Sequence, residues 1–392
     1  MDSRGVPFLD LQPMQEEVRA EVEAGWRELI ARSAFVGGAA VSDFERDFAG
    51  YCGVPHCVGV ASGTDALRIA LQAVGVAPGD LVVTVPHTFI ATVEGITQAG
   101  AAPLFVDIDP ASYGMAVEQV ARYLTRDCAV RDGVLVDRQR GRRVSCLLPV
   151  HLYGQPADLD PLVELARRYG LKLVEDAAQA HGARYRGRAC GSIGDAAAFS
   201  FYPAKNLGAM GEAGAVITRD AGLAERCRLL RDHGQRERYV HVTGEGGNAR
   251  LDALQAVVLS AKLKRLDAWN DARRRAARGY DDRLAGLELV VPREMPYARH
   301  VYHLYVVQAG SRDRVRRCLE QAGIATGLHY PIPLHLQPAY AGLGLAKGSF
   351  PASERVAARA LSLPMFPHLT EAQQDRVAAA LQAALAVGTM VS

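Results

Sequence analysis

The feature that most constrains this chain is a rhythm. From about Val58 to Thr218, short apolar runs alternate with amphipathic stretches. The runs are Val58–Ala61, Leu81–Val85, Leu104–Asp107, Cys146–Val150, Leu171–Asp176, Ala197–Phe201 and Ala215–Thr218. Between them apolar residues return at helical spacing. Leu67, Ala70, Leu71 and Val74 fall at i, i+3, i+4 and i+7, and Leu159 to Tyr169 repeats the habit. A strand that is apolar throughout is buried on both faces, and helices between such strands act as crossovers. The expectation is α/β: a three-layer, mostly parallel sheet forming a large domain.

The flanks read differently. An amphipathic helix precedes the rhythm near Pro13–Arg32, and Leu251 to about Arg278 reads as one long helix bridging to a second unit. Beyond it, strands at Leu289–Val291 and His303–Gln308 mix with helices at Arg312–Ala322, Ser353–Ala360 and Glu371–Leu385. That mixture is α+β, so residues 1–265 are expected to form the large domain and 266–392 a smaller C-terminal one. Two to three domains is also what 392 residues suggest at about 150 residues each. The polar run from Arg126 to Arg143, with Val134-Leu-Val at its centre, breaks the rhythm and reads as an inserted surface hairpin.

Charge and composition narrow the partners. The net charge is +2 with its positives dispersed, which gives no footprint for nucleic acid. No stretch approaches eighteen consecutive apolar residues, so no membrane span is expected, and the start lacks the apolar core of a secretory signal. Seven scattered cysteines form no C-x-x-C pair, which points to reduced thiols in a cytoplasmic protein, without a disulfide framework or a metal site. Only five of the 45 basic residues are lysines, so each can be asked what it does that arginine could not.

Three segments could carry chemistry. In Val58-Gly-Val-Ala-Ser62-Gly63-Thr64-Asp65-Ala-Leu a strand turns directly into a helix. Free amides there, with the Ser62 and Thr64 hydroxyls, would suit a phosphate, although the same residues serve as ordinary helix caps. In Leu171-Lys-Leu-Val-Glu175-Asp176-Ala-Ala-Gln179-Ala-His181, Asp176 closes an apolar strand, where α/β sheets place ligand crevices. A satisfied structural Asp fits equally well, and His181 reads as a packing residue rather than a base.

The third segment runs Ala197-Ala-Phe199-Ser200-Phe201-Tyr202-Pro203-Ala204-Lys205-Asn206-Leu207-Gly208. Its only cation, Lys205, sits among aromatic and aliphatic neighbours. Desolvation lowers a lysine's pKa and frees the amine as a nucleophile, a role closed to arginine. The other lysines lack this setting: Lys172 begins a strand, Lys262 and Lys264 ride a helix, and Lys347 lies in a glycine-rich loop.

An amine, a strand-end carboxylate and a phosphate cup are the parts that pyridoxal 5′-phosphate requires. On the motifs Ala61-Ser-Gly-Thr-Asp-Ala-Leu, Glu175-Asp-Ala-Ala-Gln-Ala-His-Gly and Ser200-Phe-Tyr-Pro-Ala-Lys-Asn-Leu-Gly, the chain resembles the DegT/DnrJ/EryC1/StrS family of sugar aminotransferases. These adopt the aspartate-aminotransferase (type I) fold, and the resemblance covers nearly the whole chain.

It implies that Lys205 is the Schiff-base lysine and acid/base. It implies that Asp176 faces the pyridine nitrogen, that Gln179 bonds the ring hydroxyl, and that Gly63, Thr64 and Ser200 cup the phosphate. It also implies that Phe89 stacks on the ring; read without the family, Phe89 would be a core residue. Gly246-Gly247-Asn248-Ala-Arg250-Leu-Asp252-Ala-Leu-Gln255 resembles a family signature in which the asparagine reaches a neighbouring subunit's phosphate, so Asn248 implies a homodimer with shared sites. His329-Tyr330-Pro-Ile-Pro resembles the segment lining the sugar pocket. With Tyr202, His329 and Tyr330 are then candidate substrate contacts, while a proline-stiffened loop of packing aromatics is the alternative.

The implied activity is transfer of an amino group from L-glutamate to a nucleotide-linked keto-deoxyhexose, with dTDP the expected nucleotide. A keto-cyclitol or aminohydroxybenzoate transaminase, or a non-catalytic pyridoxal-phosphate-binding regulator, is the alternative. Lys205 disfavours the family's dehydratase branch, which places His there. Ala213 stands where Gly is common, and Gly247 where an aromatic often stands. The 126–143 insertion is absent from many members; its arginines suit a solvated hairpin better than a pyrophosphate site. A nucleotide-binding oxidoreductase would need a G-x-G-x-x-G after the first strand, which is missing.

Overall fold

A computed structural model describes residues 5–389. All seven apolar runs become strands of one sheet: β1 (His56–Val60), β2 (Leu81–Thr84), β3 (Ala102–Phe105), β4 (Val144–Leu147), β5 (Lys172–Asp176), β6 (Ala196–Ser200) and β7 (Gly214–Thr218). Their order is β1-β7-β6-β5-β4-β2-β3. β7 runs antiparallel to both neighbours, and the other pairings are parallel.

Successive side chains go to opposite faces, as the pleat requires. Val58, Val82, Val174, Ala198 and Val216 pack on one side with helices α3 (Gly63–Ala73), α4 (Ala91–Gln98) and α7 (Ala221–Arg231). On the other side Cys57, Phe199, Ala215 and Ile217 meet α2 (Gly38–Cys52) and α8 (Ala253–Leu263). Farther along that face Leu81, Leu147 and Leu173 meet α5 (Val117–Arg126) and α6 (Leu159–Tyr169). The central unit is therefore three-layered. N-terminal to it lies α1 (Gln12–Arg32).

The expected long helix is two. α8 stops at Leu263, and α9 (Leu266–Leu284) starts afresh after Lys264 and Arg265. Neither Gly nor Pro interrupts the sequence there. The break is tertiary, since Lys264 and Arg265 both turn to Glu21 of α1 at 2.8 and 3.0 Å. α9 then packs Ala276, Ala277, Tyr280 and Leu284 against a second, antiparallel sheet. That sheet has the order β8-β9-β10, formed by β8 (Leu289–Val290), β9 (Tyr305–Ala309) and β10 (Ala360–Leu363). Helices α10 (Arg312–Gln321) and α12 (Glu371–Thr389) cover it, and Val6 joins its core through a bridge to Ile324. Helix α11 (Pro351–Arg359) ends one residue earlier than expected, because Ala360 has left the helix for β10.

The inserted segment is a hairpin of Cys128–Arg131 against Val134–Asp137. Its turn residues Asp132 and Gly133 have φ of 51° and 77°, the geometry a two-residue hairpin turn demands. No helix among the described residues is long and apolar enough to cross a membrane. No group of three or more His, Cys, Asp or Glu among them could hold a metal ion.

Candidate active site

The parallel strands point their carboxyl ends at one cavity of about 540 Å³. Asp176 enters it from the end of β5, Ser200 from the end of β6, and Lys205 from the turn after β6. Ser62, Gly63 and Thr64 come from the start of α3, and Thr88, Phe89 and Thr92 from the approach to α4 and its first turn. His303, His329 and Tyr330 complete the wall from the second half of the chain. Of the residues expected at the site, Gly63, Thr64, Phe89, Asp176, Gln179, Ser200, Tyr202, Lys205, His329 and Tyr330 all line it. Asn248 does not; it is exposed, in a bridge with Asp232. The hairpin arginines Arg126, Arg138, Arg140 and Arg142 line a separate cleft at the β3 edge of the sheet.

Lys205 is held by its backbone, whose N–H donates to the Tyr202 carbonyl at 2.8 Å. Among the described residues its amine has no hydrogen bond or ion pair. Burial lowers its pKa to about 8, against a weaker upward pull from Asp176. Relative to water, this favours the neutral amine by on the order of 3 kcal/mol. At pH 7.5 roughly a quarter of these amines would be neutral, against about one in a thousand for an ordinary lysine. In the ligand-free protein, acetylation of Lys205 by a brief pulse of acetic anhydride is therefore expected to rise with a midpoint near pH 8. Peptide mass spectrometry would read this, and a midpoint equal to that of exposed Lys264 would contradict it.

The turn that carries Lys205 is tightly folded. A Cβ on Gly208 would lie 2.3 Å from the Pro203 carbonyl oxygen, so only glycine fits. Behind it, Lys262 is buried and donates Nζ to the Gly208 carbonyl at 2.7 Å. Lys262 does ride a helix, but its burial corrects the expectation that Lys205 alone sits in a desolvated setting. Burial lowers its pKa to about 8 as well, but its amine is committed to the turn and does not line the cavity.

Asp176 is buried, and burial raises its pKa despite two hydrogen bonds. Thr92 Oγ1 donates to Oδ2 at 2.7 Å, and the Ala178 N–H donates to Oδ1 at 3.2 Å. Because the Thr92 proton is spent there, Thr88 Oγ1 donates in turn to Thr92, at 2.9 Å. The adjacent Glu175 is a structural group. It accepts from His151 Nε2 and from the amides of Gly191, Ile193 and Gly194, all between 2.7 and 2.9 Å. Burial raises its pKa, but those donors outweigh burial and leave it lowered. Of two neighbouring carboxylates, Asp176 is the one with no ion pair among the described residues and only two hydrogen bonds.

The start of α3 fits an oxyanion. Ser62 caps the helix by accepting from the Asp65 N–H at 3.1 Å, and its own hydroxyl donates to Asp65 at 2.9 Å. Capping and anion binding are thus divided: Ser62 does the first, while the Gly63 and Thr64 amides, orphaned by helix geometry, border the cavity beside Ser200. A Cβ on Gly63 would fall 2.5 Å from Ser200 Cβ, which accounts for the glycine.

Phe89 is 50% exposed rather than core, with its ring 5.6 Å from that of Tyr330 across the cavity mouth. Gln179 accepts the Tyr153 N–H at 2.7 Å and donates to the Tyr330 hydroxyl at 3.1 Å. His329 shares a hydrogen bond with Ser362 Oγ at 2.8 Å, and its carbonyl accepts from the Tyr153 hydroxyl. Burial lowers the His329 pKa to about 4, so the ring is neutral. His181 packs between Phe199 and Phe201, as expected.

The sequence reading missed Thr88, Thr92, Tyr153, Asn206 and His303. Thr92 was within reach, one turn of α4 beyond Phe89. His303 carried no local signal.

Comparison with known proteins identifies the family. Residues 16–382 match the model of the DegT/DnrJ/EryC1/StrS aminotransferase family. The erythromycin biosynthesis sensory transduction protein EryC1 of Saccharopolyspora erythraea is 46% identical over 96% of this chain and 99% of its own. A dTDP-3-amino-3,4,6-trideoxy-α-D-glucose transaminase of Streptomyces venezuelae is 46% identical over 95% of this chain and 94% of its own. The crystal structure of S. venezuelae DesV in complex with a ketimine intermediate superposes with a TM-score of 0.90 at 45% identity, covering 97% of this chain and 98% of that one. With fold and sequence in agreement, the chain belongs to the DegT/DnrJ/EryC1/StrS aminotransferase family.

Proposed function

We propose that this chain is a pyridoxal-phosphate-dependent transaminase moving the amino group of L-glutamate to the ketone of a nucleotide-linked keto-deoxyhexose, with dTDP as the nucleotide. The observation that carries the reading is the pairing, in one cavity, of a desolvated lysine amine with a buried carboxylate that makes no ion pair among the described residues. The family supplies the reaction class, and the relative named for a dTDP-linked amino sugar supplies the substrate class.

The residues fit pyridoxal phosphate. Asp176, its pKa raised by burial, is a carboxylate built to receive a positive charge, which a protonated pyridine nitrogen provides. The Gly63 and Thr64 amides with Ser200 offer the donors a phosphate needs, Gln179 an amide for the ring hydroxyl, and Phe89 a face for the ring. When bound, the cofactor supplies an aldehyde that takes up amino groups and a ring that withdraws electrons from the adjacent carbon.

The chain's own groups do the rest. Lys205 Nζ takes the proton from Cα of glutamate and later delivers one to the carbon that was the sugar's ketone. Its lowered pKa leaves it able to act in both directions near neutral pH. Tyr202, His329 and Tyr330 border the space left for the sugar.

In this reading residues 1–265 hold the cofactor and 266–392 form a smaller domain that supplies His303, His329 and Tyr330. Asn248, outside the cavity of its own chain, reaches the cofactor phosphate of a second copy. Exposed Val36 bridges Asp252 near it, and the exposed hairpin residues Tyr239, Val240 and Val242 follow Asp232, which bridges Asn248. An apolar face at this place suits a homodimer contact.

Turnover of a substrate panel tests the assignment. With glutamate as donor, a dTDP-linked keto-deoxyhexose is expected to be aminated at least ten times more efficiently than its UDP-linked counterpart, and scyllo-inosose not at all. Turnover of scyllo-inosose in place of the nucleotide sugars would reject the substrate class.

A further inference from the structure

Behind Lys205 lies a buried polar chain that links both halves of the protein. Asn206, the residue after the lysine, is buried and donates Nδ2 to the Val301 carbonyl at 3.1 Å and to Asn270 Oδ1 at 2.8 Å. Asn270, on α9, donates its own Nδ2 to the His181 carbonyl at 2.8 Å. Carbonyls only accept, so both amides have one allowed orientation. The Asn206 oxygen therefore faces His303 Nδ1, at 3.2 Å. An amide oxygen only accepts, so Nδ1 of His303 must carry the ring proton.

The second ring nitrogen is then a lone pair. No hydrogen bond within the described residues holds Nε2, and His303 lines the cavity. The ring cannot easily become a donor, because burial and the nearby cations Lys205 and Arg273 push its pKa well down. Its backbone is fixed as well. Arg273, one turn along α9 from Asn270 and fully buried, donates Nη1 to the carbonyls of Tyr302 at 3.3 Å, His303 at 3.3 Å and Met365 at 3.0 Å. Tyr302 is held at φ 43°, in the left-handed region. A buried guanidinium with no ion pair among the described residues thus pins a left-handed segment that carries His303.

We propose that His303 is a specificity residue: held by Asn206 as the Nδ1–H tautomer, it presents the Nε2 lone pair to the cavity as the acceptor for a substrate hydroxyl. The inference rests on the reading of this cavity as a keto-sugar site and names one of its contacts. A neutral lone pair repels carboxylate, phosphate and ketone oxygens alike. The donors that remain on the two proposed substrates are the sugar's hydroxyls, the base's N3–H and glutamate's amino group. The last is taken up by the cofactor's aldehyde, and His303 shares its wall with His329 and Tyr330, which border the space left for the sugar, so a sugar hydroxyl is the partner. A site built to accept from a hydroxyl also discriminates against analogues that lack one.

Two measurements on the holoenzyme test this. In protein labelled with ¹⁵N-histidine, long-range ¹H–¹⁵N correlation is expected to show a neutral Nδ1–H histidine between pH 6 and 8, assigned by its absence in His303→Asn. An Nε2–H or doubly protonated ring would overturn the proposal. His303→Asn keeps a donor for Asn206, but its shorter side chain places no acceptor at the position of Nε2. It is expected to raise KM for the keto-sugar about tenfold more than it slows reaction with glutamate. Equal losses in both half-reactions would show that His303 acts on Lys205 instead, and an unchanged sugar KM would also refute the assignment. A wild type inert to glutamate would reject the transaminase reading, and the sugar contact with it, whatever tautomer is found.

Discussion

Replacing Lys205 by alanine is expected to lower transamination by at least about 10⁴-fold, because the substitution removes both the attachment point of the cofactor and the base that moves the proton. Lys205→Arg should fall as far. It keeps a cation in the same place, but a guanidinium neither gives up its proton near neutral pH nor attacks an aldehyde. The pair of variants therefore separates charge from chemistry. Neither loss should come from unfolding, since Lys205 makes no side-chain hydrogen bond or ion pair among the described residues, and burial already works against its charge. Steady-state rates with glutamate, beside a denaturation curve for each variant, read both quantities. An arginine variant that kept a tenth of the activity would show that the amine is not the reacting group.

The second large effect is expected at Asp176. Asp176→Asn should keep the shape of the site but lose the negative charge facing the ring, at a cost of about 10³ in kcat. The stability prediction has the opposite sign. Burial raises the Asp176 pKa in the folded protein, so between the unfolded and folded values the native state binds the extra proton. Stability from this group therefore falls as pH rises through that window, and above it the folded chain carries a buried charge that its two hydrogen bonds only partly offset. Without cofactor, Asp176→Asn is expected to unfold at the same or higher denaturant concentration than wild type at pH 7. Binding of the cofactor should then stabilise the wild type more than the variant. A cofactor-free variant markedly less stable than wild type would mean that Asp176 is a structural carboxylate, as Glu175 is.

Much of this was legible in the sequence, for a definite reason. A strand buried on both faces must be apolar throughout, and the seven runs that met this condition are the seven strands of the central sheet. The same condition exposed the site: Asp176 and Lys205 stood out because each is an ionisable group where the surroundings are apolar. Helix α2 carried the helical repeat Val41, Phe44 and Phe48, but it begins at a glycine pair without a capping side chain and was overlooked. The break between α8 and α9 left no mark, because ion pairs to Glu21 and the second sheet redirect the chain rather than a Gly or Pro. Lys262 looked like any helix lysine, since its burial is set by the turn that α8 packs against. His303 was invisible for a similar reason. Its role depends on Asn206, 97 residues away, and on Asn270 of α9, which fixes the Asn206 amide.

The central claim is that Lys205 and Asp176 form the working centre of a transaminase. Visible absorption of the purified protein supplied with pyridoxal phosphate, followed as L-glutamate is added, tests it most directly. The expected result is a visible band that glutamate abolishes and that never forms in Lys205→Ala. A wild type that stays colourless with added pyridoxal phosphate, or a coloured one whose spectrum glutamate leaves unchanged, would contradict it.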